Sequence, residues 1–299
     1  MKILITGANG LLGQHLVKRL LEKPYQVIAT GKGDCRLPFE ETEGFRYYPL
    51  DITLESQVHD VLEKERPDVV VHAAAITQVD TCELNAAQCE AVNVQGTSHV
   101  LVNAESFSAH FIYVSTDFVF DGEQGMYNED DELRPVNFYG FTKMQAESLT
   151  ETSEIPFTII RTCLVYGNVL NGTRNNILTW VKESLENNKV IRVVNDQWRT
   201  PTYVEDLAKG IELVIEKKAT GTFHISGNEW LSPYAMACGV ADQFGFDKKR
   251  IVEVSAGTFS QPGKRPPKTG FVIDKAVREL GFQPISFEEG LKKTFRVKS

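Results

Sequence analysis

Tyr139 and Lys143 stand four residues apart in the run Asn137-Phe138-Tyr139-Gly140-Phe141-Thr142-Lys143. On a helix that spacing puts both side chains on one face. An ammonium beside a phenol favours the phenolate, so a proton ordinarily held with a pKa of about 10 becomes easier to release. The pair is therefore a candidate general acid with its electrostatic support. Upstream, Ser115-Thr116-Asp117 closes the apolar run Phe111-Ile112-Tyr113-Val114. Ligands of open parallel sheets bind at the carboxyl ends of strands, and a hydroxyl placed there can donate to a substrate carbonyl. Each pattern alone has an ordinary use, Ser-Thr-Asp as a cap or turn and Tyr-x-x-x-Lys as a chance spacing. Their order in one chain, behind a glycine loop, points to chemistry at a carbonyl.

That loop is Gly7, Gly10 and Gly13, spaced G-x-x-G-x-x-G with Leu11 and Leu12 inside it, between a first apolar run and a first helical pattern. A loop without Cβ atoms lets the backbone approach a pyrophosphate, whose charge is favoured by the helix N-terminus behind it. A second strand ends at Thr30-Gly31-Lys32-Gly33-Asp34-Cys35-Arg36. A carboxylate immediately after that strand would grip the ribose 2'-hydroxyl of NAD. Lys32 comes first instead, and with Arg36 it suits a 2'-phosphate, so NADPH is the expected cofactor with NADH possible. Asp51-Ile52 closes the third strand where the adenine edge would pass, with a helix cap as the competing role of Asp51. Ala73, Ala74 and Ala75, after His72, offer small side chains either to a flat cofactor or to close helix–sheet packing.

These residues need a scaffold that brings strand ends together. The first half alternates short β-rich runs, Lys2 to Thr6, Tyr25 to Thr30, Phe45 to Pro49, Asp68 to Ala73 and His110 to Ser115, with helical patterns such as Leu11 to Glu22 and Phe138 to Thr150. Val69-Val70-Val71 and Phe111-Ile112-Tyr113-Val114 are apolar on both faces, as when helices cover both sides of a parallel sheet. The expected fold class is α/β, a doubly wound parallel sheet of the Rossmann kind. A dinucleotide-binding domain is expected over 1–165, and a smaller substrate-binding lobe over 166–299, partly interleaved with the main sheet.

Composition sets the outer bounds. The 299 residues are 42% hydrophobic and 24% charged, ordinary for a folded globular chain. The net charge of -8 disfavours nucleic acid or an anionic membrane as partner. No stretch approaches the ~18 apolar residues of a membrane span, and the first residues lack a secretory pattern. The five cysteines include no CxxC pair, which suits a reducing, cytoplasmic setting. Cys82 and Cys89 are expected to be buried thiols on a shared helix face, and no metal site is expected.

With these motifs in place, the chain resembles the extended short-chain dehydrogenase/reductase family, in the branch of nucleotide-sugar reductases typified by the dTDP-4-dehydrorhamnose reductases. The resemblance runs from the glycine loop through Ser115-Thr116-Asp117-Phe118-Val119-Phe120-Asp121-Gly122, Tyr139 to Lys143, and Arg161 to Gly167. It continues through Asn195-Asp196-Gln197 to Arg265-Pro266. It implies a catalytic trio of Thr116, Tyr139 and Lys143, with Tyr139 and Lys143 also touching cofactor. It implies hydride delivery from NAD(P)H to the C4 carbonyl of a nucleotide-linked 4-keto-6-deoxyhexose, in the leading case dTDP-4-dehydrorhamnose. Thr116, Asp117, Phe118 and Leu164 would then face the sugar. The branch usually carries Tyr at Phe118 and commonly Trp at Leu164, so the sugar identity stays open. Arg174, Arg199 and Arg265 are the candidate diphosphate partners. An epimerase of the same superfamily, or a non-catalytic subunit resembling the regulatory subunit of methionine adenosyltransferase, are the alternatives. A homodimer is possible.

Overall fold

The computed structural model describes residues 1–172 and 176–295. Its frame is set by apolar runs too short for helices and too continuous for an exposed strand. β1 (Lys2–Thr6), β2 (Gln26–Gly31), β3 (Phe45–Pro49), β4 (Val69–His72), β5 (His110–Thr116) and β6 (Phe157–Thr162) all enter one parallel sheet. Every residue of β4 is buried, as a strand covered on both faces requires. A seventh strand, β10 (Gly221–His224), pairs with β6, giving the order β10-β6-β5-β4-β1-β2-β3.

The order reverses between β1 and β4, whose last residues Thr6 and His72 stand opposite each other. Connections leaving those two ends diverge, so a crevice opens between them. α1 (Leu11–Leu21) and α8 (Val204–Lys217) pack together on one face. α2 (Glu55–Glu65), α5 (Gly96–Glu105) and α6 (Phe138–Glu151) cover the other. Leu16, Val17 and Leu20 of α1 have no exposed surface, and each contributes about 1.5–3 kcal/mol of burial.

The second half builds a smaller layer from α7 (Ile177–Glu186), α9 (Pro233–Phe244), α10 (Phe287–Thr294) and the parallel pair β8 (Ile191–Val194) and β11 (Ile251–Val254). β7 (Val165–Tyr166) and β9 (Thr202–Tyr203) form a second short pair. Among the described residues no helix is long and apolar enough to cross a membrane.

One expectation fails. Cys82 and Cys89 are not free thiols on a continuous helix but a disulfide, with Cα atoms 5.1 Å apart. Seven residues of unbroken helix would span about 10.5 Å. Asn85, at φ −133° and ψ 60°, breaks the chain into α3 (Val79–Leu84) and α4 (Ala86–Glu90) and brings the two sulfurs together. A wider turn over Ala91–Gln95 then leads into α5.

Candidate active site

A cleft of about 730 Å³ lies over the carboxyl ends of β1, β2, β4 and β5, within the range of small-molecule sites. Its floor is the glycine loop. Gly7 adopts φ +69°, and a Cβ there would lie 2.8 Å from the Ala74 nitrogen. A Cβ on Gly13 would come within 2.5 Å of backbone atoms of Gly7 and Ala8. A Cβ on Gly10 meets only the Gly7 carbonyl, at 3.2 Å. α1 starts at Gly10 with no side-chain cap and no acid in its first turn. Its leading N–H groups, at Leu11 and Leu12, therefore keep the donor capacity and positive dipole end that a pyrophosphate takes. A dinucleotide fits this floor.

Thr6 and His72 fasten the two sides of the crevice. Thr97 Oγ donates to the Asn93 carbonyl at 2.7 Å, so it accepts from His72 Nε2 at 3.0 Å. His72 Nδ1 is then left to accept from Thr6 Oγ at 2.8 Å, while Thr6 Oγ accepts from the amides of Ala73 and Ala74. Complete burial, with Lys143 nearby, pushes the His72 pKa down to about 3, so the ring stays neutral and the network keeps one sense. Ala73, Ala74 and Ala75 line the cleft against Gly7.

At the far edge Lys32 and Asp51 form an ion pair at 2.6 Å, with the Lys32 side chain 83% exposed. Lys32 and the amide and hydroxyl of Thr53 hold the Asp51 carboxyl below its usual range. Asp51 does not cap α2, whose N-cap is Leu54. Ile52 and Arg36 also line the cleft. The turn carrying Arg36 is organised by Asn9, which accepts from the Arg36 amide at 2.9 Å and donates to the Asp34 carbonyl and the Tyr47 hydroxyl. Neither Asn9 nor Tyr47 was singled out from the sequence. A polar residue between two glycines of the loop was the available signal.

The opposite wall is α6 and the turn after β5. Asn137 caps α6 by accepting from the Gly140 amide at 2.8 Å. Gly140 lets the helix close on that turn, since a Cβ there would sit 2.0 Å from the Phe118 carbonyl oxygen. This close approach brings Tyr139 and Lys143 onto the wall that carries Thr116. Thr116 Oγ donates to Asp117 at 3.1 Å and accepts from the Phe118 amide. Tyr139 packs edge-on against Phe118, with ring centroids 6.0 Å apart, and shares an apolar cluster with Val79 and the Cys82–Cys89 bridge.

Lys143 is 3% exposed, donates to the Val114 carbonyl at 2.8 Å and lies 4.1 Å from the centre of the Tyr113 ring. Burial pushes its pKa down to about 7, opposed by the Glu147 charge one turn further along α6. Glu147 is itself buried and pairs with Arg161 of β6 at 2.7 Å. Tyr139, Lys143 and Glu147 thus form one inward stripe at spacing four.

The expected substrate cations are less open. Arg199 lines the cleft but is 5% exposed, donates to the carbonyls of Trp198, Pro266 and Pro267, and stands 3.5 Å from Asp117. Asp117 also accepts from Thr269, and burial raises its pKa against the pull of Arg199. Arg265 is clamped on Asp80, Nη1 to Oδ1 at 2.5 Å and Nη2 to Oδ2 at 2.8 Å. Arg174 lies outside the described residues. Phe118 and Leu164 both face the cleft, Leu164 in the left-handed region at φ 39°, which a branched residue seldom occupies.

Strand order and cleft position make this a Rossmann-type α/β protein with the architecture of a dinucleotide-binding fold. The chain belongs to the family described as the RmlD substrate binding domain, whose model matches residues 1–298. A solved dTDP-4-dehydrorhamnose reductase from Clostridium acetobutylicum is 32% identical, with TM-score 0.87 and 98% of each chain covered. A second, from Bacillus anthracis in complex with NADP, is 31% identical, with TM-score 0.85 over 98% of each chain. Methionine adenosyltransferase 2 subunit beta of Mus musculus is 29% identical over 98% of this chain and 86% of its own length.

Proposed function

We propose that this chain is an NADPH-dependent reductase of the C4 carbonyl of a nucleotide-linked 4-keto-6-deoxyhexose, with dTDP-4-dehydrorhamnose, giving dTDP-rhamnose, as the first substrate to test. The observation that carries the reading is Thr116, Tyr139 and Lys143 on one wall of a cleft floored by an uncapped glycine loop. Family membership and the two similar reductases, one of them holding NADP, support it.

The bound dinucleotide supplies hydride to the carbonyl carbon. Thr116 turns its hydroxyl from Asp117 to the carbonyl oxygen, and Tyr139 gives that oxygen the proton that completes the alcohol. Lys143 holds its charge beside the phenol, and a pKa near neutrality suits it to return a proton to Tyr139. Gly7, Gly10, Leu11, Leu12 and Gly13 receive the pyrophosphate. Lys32 exchanges Asp51 for a 2'-phosphate with Arg36 beside it, Asp51 and Ile52 meet the adenine, and Ala73, Ala74 and Ala75 pass the flat ring. Phe118 and Leu164 give the sugar an apolar wall, Asp117 positions Thr116, and Arg199 and Arg265 reach a diphosphate by exchanging their present partners. A cytoplasmic location and a homodimer belong to the same proposal, checked by cell fractionation and light scattering.

The test is loss of dihydronicotinamide absorbance with dTDP-4-dehydrorhamnose, using NADPH and NADH in turn. Tyr139→Phe is expected to lower kcat by about 10²- to 10⁴-fold with cofactor affinity retained. Equal rates in both proteins reject the proton-donor role. The likeness to methionine adenosyltransferase 2 subunit beta favours a second reading, a non-catalytic nucleotide-binding subunit. Tight cofactor binding without oxidation by any 4-keto sugar would select it.

A further inference from the structure

The amide of Gln14 uses its whole hydrogen-bonding capacity on two chain segments far apart in sequence, the glycine loop and residues 170–171. Gln14 is the residue after Gly13, in the first turns of α1, and is 2% exposed. Its Oε1 accepts from the backbone amides of Leu170 and Asn171 at 2.7 and 3.1 Å. Its Nε2 donates to the Asn171 carbonyl at 2.8 Å and to the Asn9 carbonyl at 3.1 Å. Two lone pairs and two N–H groups are all that a carboxamide has. His15 adds a neighbouring tie, its Nε2 lying 2.7 Å from the Asn168 carbonyl.

Asn9 is an interior residue of the glycine loop, and its side chain holds the Arg36 turn. Leu170 and Asn171 belong to the stretch that runs from β7 toward α7. That stretch is flanked by two residues that line the cleft. Val165 lines the cleft, and Asn176 lines it while capping α7 and donating to the Gly167 carbonyl at 2.7 Å. The buried Gln14 side chain therefore bridges the glycine loop directly to the segment between Val165 and Asn176.

We propose that Gln14 is a positioning residue that couples the two ligands: a dinucleotide that fixes the Gly7–Gly13 loop also fixes, through Gln14, the 168–171 segment, and with it the cleft-lining Val165 and Asn176 on either side of that segment. The idea rests on the reductase reading above. Its consequence is a binding cooperativity that must be reciprocal, each ligand tightening the other by one factor. It also sets an order of events, with dinucleotide first giving the more competent substrate side.

The experiment is calorimetric titration of the full chain with dTDP, with and without saturating NADP⁺, and the converse titration. Wild type is expected to bind dTDP about 5-fold or more tightly with NADP⁺ present, with the same factor in the converse titration. Gln14→Met keeps the length and burial of the side chain and loses all four hydrogen bonds. It is expected to bring the factor to about one while NADP⁺ affinity alone changes by less than about 3-fold. A tie that served stability only would lower the melting temperature and leave the factor as in wild type, which overturns the proposal. A wild-type factor of one also overturns it. Absence of any NADP⁺ or NAD⁺ binding sinks the reductase reading together with this one, whereas binding without cooperativity sinks this one alone. Should Gln14→Met fail to fold, hydrogen exchange of wild type decides. NADP⁺ is expected to slow the Leu170 and Asn171 amides, the donors to Gln14, by on the order of 10-fold, and no change counts against the coupling.

Discussion

The two ends of the cleft are built from different materials. The glycine-loop end is backbone, a glycine loop and the start of an uncapped helix, with one exposed ion pair, Lys32–Asp51, at its rim. The end at Asp117 is built with charges that already have partners, Arg199 with Asp117 in the lining itself, and Arg161 with Glu147 and Arg265 with Asp80 outside it. The difference follows from what an empty site can tolerate. An N–H at a cleft surface is cheaply solvated, but a buried guanidinium without a partner costs several kcal/mol. Backbone donors can wait for a ligand in the open, whereas these arginines fold with carboxylates as partners.

Two variants test that contrast directly. Glu147→Gln leaves Arg161 charged in a site where it is 3% exposed, so a loss of about 3–5 kcal/mol is expected in urea unfolding. A loss below about 1 kcal/mol would mean that the pair is effectively solvated, and that the α6 wall does not depend on pre-paired charge. Gly13→Ala is expected to cost about 1–3 kcal/mol because its Cβ meets backbone on two residues. Gly10→Ala meets one carbonyl at 3.2 Å and should cost less than about 1 kcal/mol, its effect appearing in NADP⁺ affinity instead. Equal stability losses at the two glycines would break the picture of a floor shaped by close backbone approach at Gly7 and Gly13.

The same contrast explains what could be read from the chain. The parallel sheet was legible because β1, β4 and β5 are continuous apolar runs, and β-rich runs alternate with helical patterns over the first half. The glycine loop and the Tyr139–Lys143 spacing were legible because local geometry fixes them. Partners far apart in sequence were not. Arg265 finds Asp80 across 185 positions and Thr269 finds Asp117 across 152, and no spacing announces either pair. The bridge between Cys82 and Cys89 depends on a helix break at Asn85 that helical periodicity does not register. β8 and β11, a pair of four-residue strands separated by more than fifty positions, escaped for the same reason.

Lys143 belongs to both materials, a charge held by backbone. Its neighbours are the Val114 carbonyl and Tyr113 on β5, neutral His72 on β4, and Tyr139 and Glu147 on its own helix. Burial lowers its folded pKa from 10.5 to about 7. Between those values the unfolded chain binds a proton that the folded chain does not, so this group makes stability rise with pH across that window. Below about 7 both states are charged, and the cost of burying the ammonium is fully present. Lys143→Met removes that cost. The variant should therefore be more stable than wild type below pH ~7, and its advantage should shrink by about 1.4 kcal/mol per pH unit as pH rises toward 10. Denaturant unfolding of both proteins across that range reads the difference. A gap that stays constant with pH would show that Lys143 keeps its proton throughout, leaving Glu147 and the Val114 carbonyl as a stronger hold on the charge than burial is against it.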